Sequence, residues 1–260
     1  SQQGWYNGLQ TSLRKRFTRN IAYGASYAFG RSLSVGGADL GTRFGSDNSP
    51  CCQEFFNYRL ARGRVSGDVE HNFSTNLYYL LPGPTSGVEQ LVLGGWSLSG
   101  IFRAQTGTPQ TVTQKGAMQV RFPDIADGKD IRKDVVNKNP PLSANGRGYQ
   151  YLNASAFTEV PMLDCTGLSA ACGSNIPVRP GNANRALVSK PSYWGADISL
   201  AKDFNIDEDK RIQFRLDLMN AFNHMNLGSP RGNFSGSRFG AIEGTGSNMR
   251  VTQVNLKLYF

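Results

Sequence analysis

The sequence has no long apolar run and few of the residues that catalysis most often uses. No stretch of about 18 consecutive apolar residues occurs, which excludes a transmembrane helix. Only two histidines, His71 and His224, are present, so a Ser-His-Asp or Cys-His centre has few options. No phosphate-binding loop and no dinucleotide fingerprint occurs. We therefore expect no enzymatic activity, no cofactor and no metal site, and we interpret both histidines as solvated strand-end residues.

Cysteine is scarce, and the four cysteines lie in loop-like sequence. An even number suits an oxidising compartment. Neither a nearby histidine nor a CxxC spacing supports zinc, which leaves disulfides or free thiols as the alternatives. Cys165 and Cys172 are close enough in sequence to form a small disulfide loop, whereas the partners of Cys51 and Cys52 stay open. Ser1 opens a polar stretch rather than a signal peptide, so we expect a processed or partial exported chain.

The net charge of +9 permits nucleic-acid binding but does not indicate it. The basic residues are spread over strands and loops. The tightest cluster, Arg14, Lys15, Arg16 and Arg19, falls at a strand end and turn. A solvated basic turn is the simplest interpretation. The alternative is attraction to anionic lipid or to phosphate-rich surface sugars.

Strand-like alternation is abundant, and it is clearest in the last residues. Val254, Leu256, Leu258 and Phe260 fall on one face of an extended strand, and Asn255 and Lys257 fall on the other. An edge strand of a soluble sandwich has this pattern. A membrane barrel uses the same pattern with the apolar face in lipid and the polar face in the lumen. A terminal strand that ends on an aromatic residue favours the barrel.

The whole chain repeats this pattern in about seven segments, separated alternately by short turns and long loops. Such alternation is typical of outer-membrane barrels, with turns in the periplasm and loops outside. We therefore predict an all-β fold, an antiparallel transmembrane β-barrel segment with long extracellular loops. The predicted strands are 5–17, 21–33, 71–81, 96–107, 193–204, 210–222 and 250–260.

Five internal stretches carry a family resemblance: YNGLQTSLRKRF (6–17), ASYAFGRSL (25–33), LGGWSLSGIFRAQTGTPQTVT (93–113), GADISLAKDF (195–204) and RLDLMNAFNHMNLGSP (215–230). They resemble the carboxy-terminal barrel of a TonB-dependent transporter, in particular the Oar-like receptors that carry a carboxypeptidase-regulatory-like domain. The terminal VNLKLYF (254–260) looks like the assembly signal of that family.

The resemblance implies a barrel of about 22 strands closed around a plug. Residues 1–260 would then be the carboxy-terminal part of one barrel domain, and the plug and the amino-terminal strands would lie outside this chain. The alternative is a small eight-stranded barrel with a further strand between Met118 and Tyr151. Open edges in lipid are costly, which favours the larger barrel.

The expected function is outer-membrane uptake of a bulky nutrient, such as an oligosaccharide, a peptide or a metal chelate. The alternatives are a non-transporting surface barrel for adhesion or assembly, and a soluble β-sandwich binding module. The implied partners are outer-membrane lipid and lipopolysaccharide, the TonB complex through the missing plug, the barrel-assembly machinery and an unknown nutrient ligand, with no nucleic acid.

The polar strand face is where we expect functional side chains, either toward a ligand or as a charge network that holds the wall. The lumen-facing candidates are Arg14, Arg16, Arg103, Asp197, Arg215, Asp217 and Lys257. The assembly-signal candidates are Val254, Leu256, Leu258 and Phe260. Aromatic residues of the loops either contact the ligand or pack the loops together: Phe55, Phe56, Tyr58, Tyr149, Tyr151, Phe157 and Phe234.

Overall fold

The computed structural model describes residues 3–35, 62–84, 86–114, 123–130, 133–143, 146, 148–163, 178–179, 181–206 and 210–260. Strands dominate these residues, as predicted. The strands described are β1 Gln3–Thr18, β2 Ile21–Val35, β3 Gly63–Arg64, β4 His71–Leu80, β5 Trp96–Gln105, β6 Pro109–Gln110, β7 Asp124–Ile125, β8 Tyr149–Gln150, β9 Phe157–Thr158, β10 Val188–Ser189, β11 Tyr193–Asn205, β12 Arg211–Met219, β13 Ala241–Ile242 and β14 Val251–Tyr259. One α-helix, α1 Val88–Leu93, and one 3-10 helix, Ala154–Ala156, accompany them.

The main sheet is antiparallel and follows the order β1-β2-β4-β5-β11-β12-β14, with the two-residue β3 also paired to β2. Each long strand therefore pairs with the next long strand along the chain. Three short connections leave one end of the sheet, which we call the turn end. Three long connections leave the opposite end, the loop end. No pairing in the described part of the chain joins β1 to β14, so the sheet is an open arc.

A two-residue turn joins β1 to β2 at the turn end. Arg19 and Asn20 both have positive φ, at 50° and 67°, and Thr18 pairs with Ile21 across the hairpin. Two positive φ angles are the signature of a type I′ turn, whose twist matches that of the flanking strands. Asn tolerates this conformation better than most residues, which makes Asn20 suited to the position.

The register sorts side chains into an apolar face and a polar face. On the apolar face, Leu200 lies between Leu98 and Leu216, and Val254 follows Leu216 on the last strand. On the polar face, Ser199 lies between Ser99 and Asp217. The period of two in the sequence thus carries across every strand of the main sheet, because neighbouring strands keep their side chains in phase.

Glycines of β1 and β2 make room for a tyrosine on the polar face. A Cβ at Gly8 would lie 2.5 Å from the Tyr6 hydroxyl oxygen, and a Cβ at Gly30 would lie 2.9 Å from the same atom. The space beside Gly8 and Gly30 is therefore not open. The Tyr6 ring fills that space and covers both backbones.

A β-bulge changes the face on which Phe17 lies. Period-two counting along the predicted strand 5–17 places Phe17 on the same face as Leu13. The register shifts between Lys15 and Thr18, and the Phe17 ring lies 5.9 Å from the ring of Tyr78, a residue of the polar face. An extra residue in one strand reverses the phase of the alternation beyond it. Simple period-two counting therefore fails at the end of β1.

The buried hydrophobic cluster of the chain lies in the long connections and not in the main sheet. The Phe239 ring is 5.4 Å from the Phe157 ring and 5.0 Å from the Phe234 ring, both near-perpendicular. Three two-stranded sheets, β6 with β10, β8 with β13 and β7 with β9, frame the cluster. Its members are Val112, Val135, Leu152, Ala156, Phe157, Val188 and Phe239.

The long strands begin and end close to the predicted positions, but several smaller elements were not predicted. The stretch between the predicted strands 71–81 and 96–107 contains α1, for which the sequence predicted no helix. The proposed extra strand between Met118 and Tyr151 finds no support: in the described part of that stretch, β7 and β8 pair within the small loop sheets and do not join the main sheet.

Candidate functional site

A hydrogen-bonded charge network occupies the polar face where β11, β12 and β14 lie side by side. Arg215 Nε donates to Asp217 Oδ1 at 2.7 Å, and Arg215 Nη2 donates to Ser199 Oγ at 3.1 Å. Ser199 Oγ also donates to Asp217 Oδ1. Asn255 Nδ2 donates to Asp217 Oδ2 at 3.0 Å. Both oxygens of the Asp217 carboxylate are therefore engaged, and the network ties three strands together.

The remaining lumen candidates lie along the same face but do not join this network. Asp217 pairs with Gln253, and Gln213 pairs with Lys257, which places Lys257 on the face of Asp217. Asp197 accepts a hydrogen bond from the backbone nitrogen of Asn220 at 2.8 Å, which fastens the end of β12. Arg14 and Arg103 also fall in phase with this face, and Arg16 lies within the irregular stretch between Lys15 and Thr18.

A shallow hollow of about 480 Å³ lies on the polar face of β1, β2 and β4. Gln10, Ser12 and Asn72 contribute to its lining, and Ser26 and Ser74 share a hydrogen bond of 2.8 Å there. Hydroxyl and amide groups dominate the polar face around this hollow. The polar face is therefore hydrophilic across the sheet, and it is charged mainly near β12.

The apolar face carries large side chains that nothing in the described part of the chain covers. Leu9 is 61% exposed and Leu256 is 72% exposed. A soluble domain rarely leaves so extended an apolar surface open to water. Of the four assembly-signal candidates, Val254, Leu256 and Leu258 lie on this face, and Phe260 follows β14 with 93% of its surface exposed.

Aromatic rings line the loop end of the apolar face on successive strands. The Phe102 ring lies 6.2 Å from the Phe73 ring and 6.1 Å from the Trp194 ring. Trp194 in turn stacks on His224 at 4.0 Å. A band of aromatic residues at the strand ends is the arrangement found where barrels cross a membrane interface.

A second candidate site is an open cleft of about 410 Å³ in the folded long connections. Phe234 and Phe239 contribute aromatic surface, and Asn137, Gln150 and Asn153 contribute amides. The amide nitrogen of Asn137 donates to Gln150 O at 2.6 Å, and that of Gln150 donates to Leu152 O and Phe239 O, each at 2.8 Å. Backbone carbonyls thus occupy these amide donors, which leaves the side-chain oxygens of Asn137 and Gln150 as acceptors. The side-chain oxygen of Asn153 already accepts from Ser155.

Ion pairs stabilise the folded long connections. Arg179 pairs with Asp124 through both carboxylate oxygens, and Asn182 N donates to Asp124 Oδ1 at 2.9 Å. The Arg179 hydrogen bonds hold the pKa of Asp124 below its usual value, against the opposing effect of burial. Arg231 and Arg238 lower the pKa of Glu243 in the same way. Burial raises the pKa of Tyr151, whose hydroxyl donates to Ser189 O at 2.9 Å.

Three of the described loop aromatics, Tyr151, Phe157 and Phe234, pack in or against the buried cluster. Phe157 belongs to the buried cluster, and Phe234 packs against it while also lining the cleft. Three of the predicted aromatics, Phe55, Phe56 and Tyr58, lie outside the described residues. So do all four cysteines, including the predicted Cys165–Cys172 pair.

The histidines are more engaged than the sequence suggested. His71 Nδ1 is 2.7 Å from the Tyr27 hydroxyl oxygen, and His224 is half-buried against Trp194. Both lie near the loop end, as expected. In the part of the chain that the structure describes, no three His, Cys, Asp or Glu side chains come together as a potential metal site.

Comparison with known proteins assigns the family. None of the helices among the described residues is long and apolar enough to cross a membrane. The sequence model of the family described as outer membrane beta barrel domain matches residues 1–253. The chain belongs to the outer membrane β-barrel domain family. No curated protein and no solved structure matches it.

Membership places this barrel domain in the bacterial outer membrane. The soluble β-sandwich considered from the sequence is therefore excluded. Arg215 and Asp217 were candidates from the sequence, which gave no sign that Ser199 contacts them, because that contact depends on the β11–β12 register. Sequence reasoning also missed Phe239 and the amide groups of the cleft, since no local pattern in the long connections indicates which residues meet.

Proposed function

We propose that the barrel domain is part of a TonB-dependent receptor that takes up a bulky nutrient across the outer membrane. The candidate nutrients are an oligosaccharide, a peptide or a metal chelate. The proposal includes no enzymatic step. It starts from the family and from the internal stretches that resemble the barrels of Oar-like receptors, and the geometry of the long connections supports it.

The observation that carries the proposal is the folded assembly at the loop end. Long connections with their own buried cluster and ion pairs are more ordered than simple solvent loops. Their open cleft combines aromatic surface with amide acceptors and is large enough for part of a bulky ligand. Long loops that carry no function are uncommon in a compact domain, which favours a binding role.

The open arc supports the second part of the proposal, a larger closed barrel. β1 and β14 are each paired on one side only among the described residues. An unpaired strand edge in lipid leaves backbone N–H and C=O groups unsatisfied at several kcal/mol each. We infer that further strands, in a barrel of about 22, complete these edges and enclose a plug. The barrel-assembly machinery would recognise the terminal strand, and TonB would act on the plug.

The test is uptake by intact bacteria that carry or lack the gene. Labelled oligosaccharides, peptides and ferric chelates are offered with and without a protonophore, which removes the driving force that a TonB system uses. We expect uptake of one class to require both the gene and the proton gradient. Uptake that requires the gene but is equal with and without the protonophore would instead indicate a passive pore. Equal uptake by both strains for every class would contradict transport and would favour a surface barrel for adhesion or assembly.

A loop variant tests the role of the cleft in the same assay. Phe234→Ala removes half-buried aromatic surface from the cleft, and we expect it to weaken ligand binding to intact cells. The matched control is Phe222→Ala, an exposed phenylalanine near β12 that does not line the cleft. Equal binding by wild type and Phe234→Ala would show that the ligand enters elsewhere.

A further inference from the structure

The short helix α1 lies against the apolar face of the main sheet at the turn end. It connects β4 to β5, and Trp96 Nε1 donates to Val92 O at 2.8 Å. Lys202 Nζ donates to Gln90 O at 3.3 Å and to Gly94 O. In the register, Lys202 lies between Trp96 and Phe214 on the apolar face. The carboxyl end of α1 is therefore held over the edge of that face.

Most of the helix surface is apolar and exposed. Val88 is 82% exposed, Val92 is 67% exposed, and Leu91 and Leu93 are each more than half exposed. No residue of α1 is buried. Four apolar side chains out of six thus stand clear of the described protein. A helix that packs on its own domain normally turns its apolar residues inward, and α1 does the opposite.

A buried lysine attaches α1 to the main sheet, although the apolar side chains of the helix are exposed. Lys202 is only 3% exposed, and its ammonium lies 5.5 Å from the Trp96 ring centre and 5.0 Å from that of Phe204. Carbonyl groups at a helix carboxyl end carry partial negative charge, which stabilises a buried cation there. Lys202 therefore attaches the carboxyl end of α1 to β11 of the main sheet.

Close backbone packing adds to this attachment. Gly95 has a φ of 71°, and a Cβ there would lie 2.5 Å from Asp203 O on β11. A Cβ at Gly83 would lie 2.6 Å from Leu93 O. Gly95 therefore lets the connection approach β11 closely, and Gly83 lets the segment after β4 approach the carboxyl end of α1. The position of α1 is therefore built into the fold and is not that of a loosely attached loop.

We propose that α1 is an interfacial anchor, which inserts Val88, Leu91, Val92 and Leu93 into the phospholipid leaflet at the turn end. The exposed apolar surface of the helix is continuous with the apolar sheet face, which an outer-membrane barrel turns to lipid. A helix with exposed apolar residues binds in the plane of a membrane interface. Trp96 and the buried Lys202 ammonium beside it lie at the ends of their strands. In a membrane barrel, strand ends lie near the membrane–water interface, where aromatic residues are enriched.

The experiment measures the depth of a spin label on the helix in the full-length protein, reconstituted in phospholipid bilayers. Leu91→Cys carries the nitroxide, with the four native cysteines replaced by serine. The matched control is Glu89→Cys on the same helix. We expect the Leu91 label to collide several-fold more often with oxygen, which dissolves in lipid, than the Glu89 label does. Collisions with a water-soluble nickel complex should show the reverse order.

Two outcomes would overturn the proposal. Frequent nickel collisions at Leu91 would show that the helix lies in water. Few collisions with either reagent would show that another protein segment or a second copy covers it. Lys202→Met, with Lys202→Arg as its control, tests the attachment: we expect the methionine variant alone to raise nickel collisions at Leu91 several-fold. No change in the methionine variant would contradict the assigned role of Lys202.

Discussion

Asn255 on the last strand donates a hydrogen bond of 3.0 Å to the carboxylate of Asp217 on the strand beside it. The same carboxylate pairs with Arg215 at 2.7 Å. One acidic side chain thus adds a side-chain link to the backbone pairing between β12 and β14. Asp217 therefore stabilises the polar face where these two strands meet.

Replacing this carboxylate should weaken the edge of the sheet. Asp217→Asn keeps the size of the side chain and removes its charge, so the Arg215 ion pair is lost. We expect the free energy of unfolding to fall by about 1 kcal/mol, since the pair is partly open to solvent. Heat-induced unfolding in detergent measures the change. Asp203→Asn is the control, because Asp203 accepts one hydrogen bond, from Gln213, and forms no ion pair among the described residues. A loss as large in the control would contradict the special role of Asp217.

The two faces of β14 should respond differently to a new charge. Leu256→Arg places a cation on the apolar face, where we expect a cost of about 2–4 kcal/mol if the position lies near the bilayer midplane. Gln253→Arg places the same cation on the polar face of the same strand, opposite Asp217, and should cost much less. Folding in lipid vesicles under urea gives both values. Equal costs would contradict the assignment of Val254, Leu256 and Leu258 to lipid and of Asn255 and Lys257 to the interior.

The terminal phenylalanine should be needed for efficient assembly. Deleting Phe260, or replacing it with aspartate, should reduce the amount of heat-modifiable barrel in the outer membrane. The side chain is 93% exposed, so the expected loss comes from recognition by the assembly machinery and not from broken packing. Phe260→Tyr retains the aromatic ring and serves as the control. Unchanged barrel levels after deletion would refute the assembly role.

The long connections should loosen in acid. The pKa of Asp124 is below its ordinary value because Arg179 hydrogen-bonds to the carboxylate. A lowered folded-state pKa means that this stabilisation is complete above the unfolded pKa of about 3.9 and is lost as pH falls through the folded value. The protection factor for amide exchange near Asn182, which corrects for the pH dependence of the intrinsic rate, should therefore fall below about pH 4. Asp124→Asn should exchange faster already at neutral pH, with a weaker dependence on acid. An identical pH profile in both proteins would contradict this assignment.

The cysteine pair predicted from the sequence has its own test. Cys165 and Cys172 should form a disulfide within a long loop, because the six intervening residues allow the Cα separation of roughly 4.4–6.8 Å that a disulfide requires. Such a short loop adds little to global stability. Cys165→Ser should therefore insert normally but lose protection of this loop from proteases. Mass spectrometry of protein purified without reductant decides the question, and free thiols at both positions would end the hypothesis.

The period-two pattern predicted the long strands well because it is a local property of extended chains. Residues such as Leu256 and Lys257 alternate whatever their neighbours do. The pattern failed at Phe17, where one inserted residue in the β1–β2 pairing reversed the phase. It also missed α1, since six residues are too few for helical periodicity to stand out from a connector.

The sequence by itself determined the all-β class, the positions of the long strands and their two faces. Alternation of apolar and polar side chains is a local property of an extended chain, so it can be recognised without knowledge of the tertiary contacts. Tertiary structure alone decided which polar residues meet. Ser199 reaches Asp217 through the strand register, and Phe157 meets Phe234 and Phe239, which belong to a different long connection. It also decided that Lys202 is buried beneath α1. These contacts join residues far apart in the chain, and packing among such segments leaves no periodic trace in the sequence.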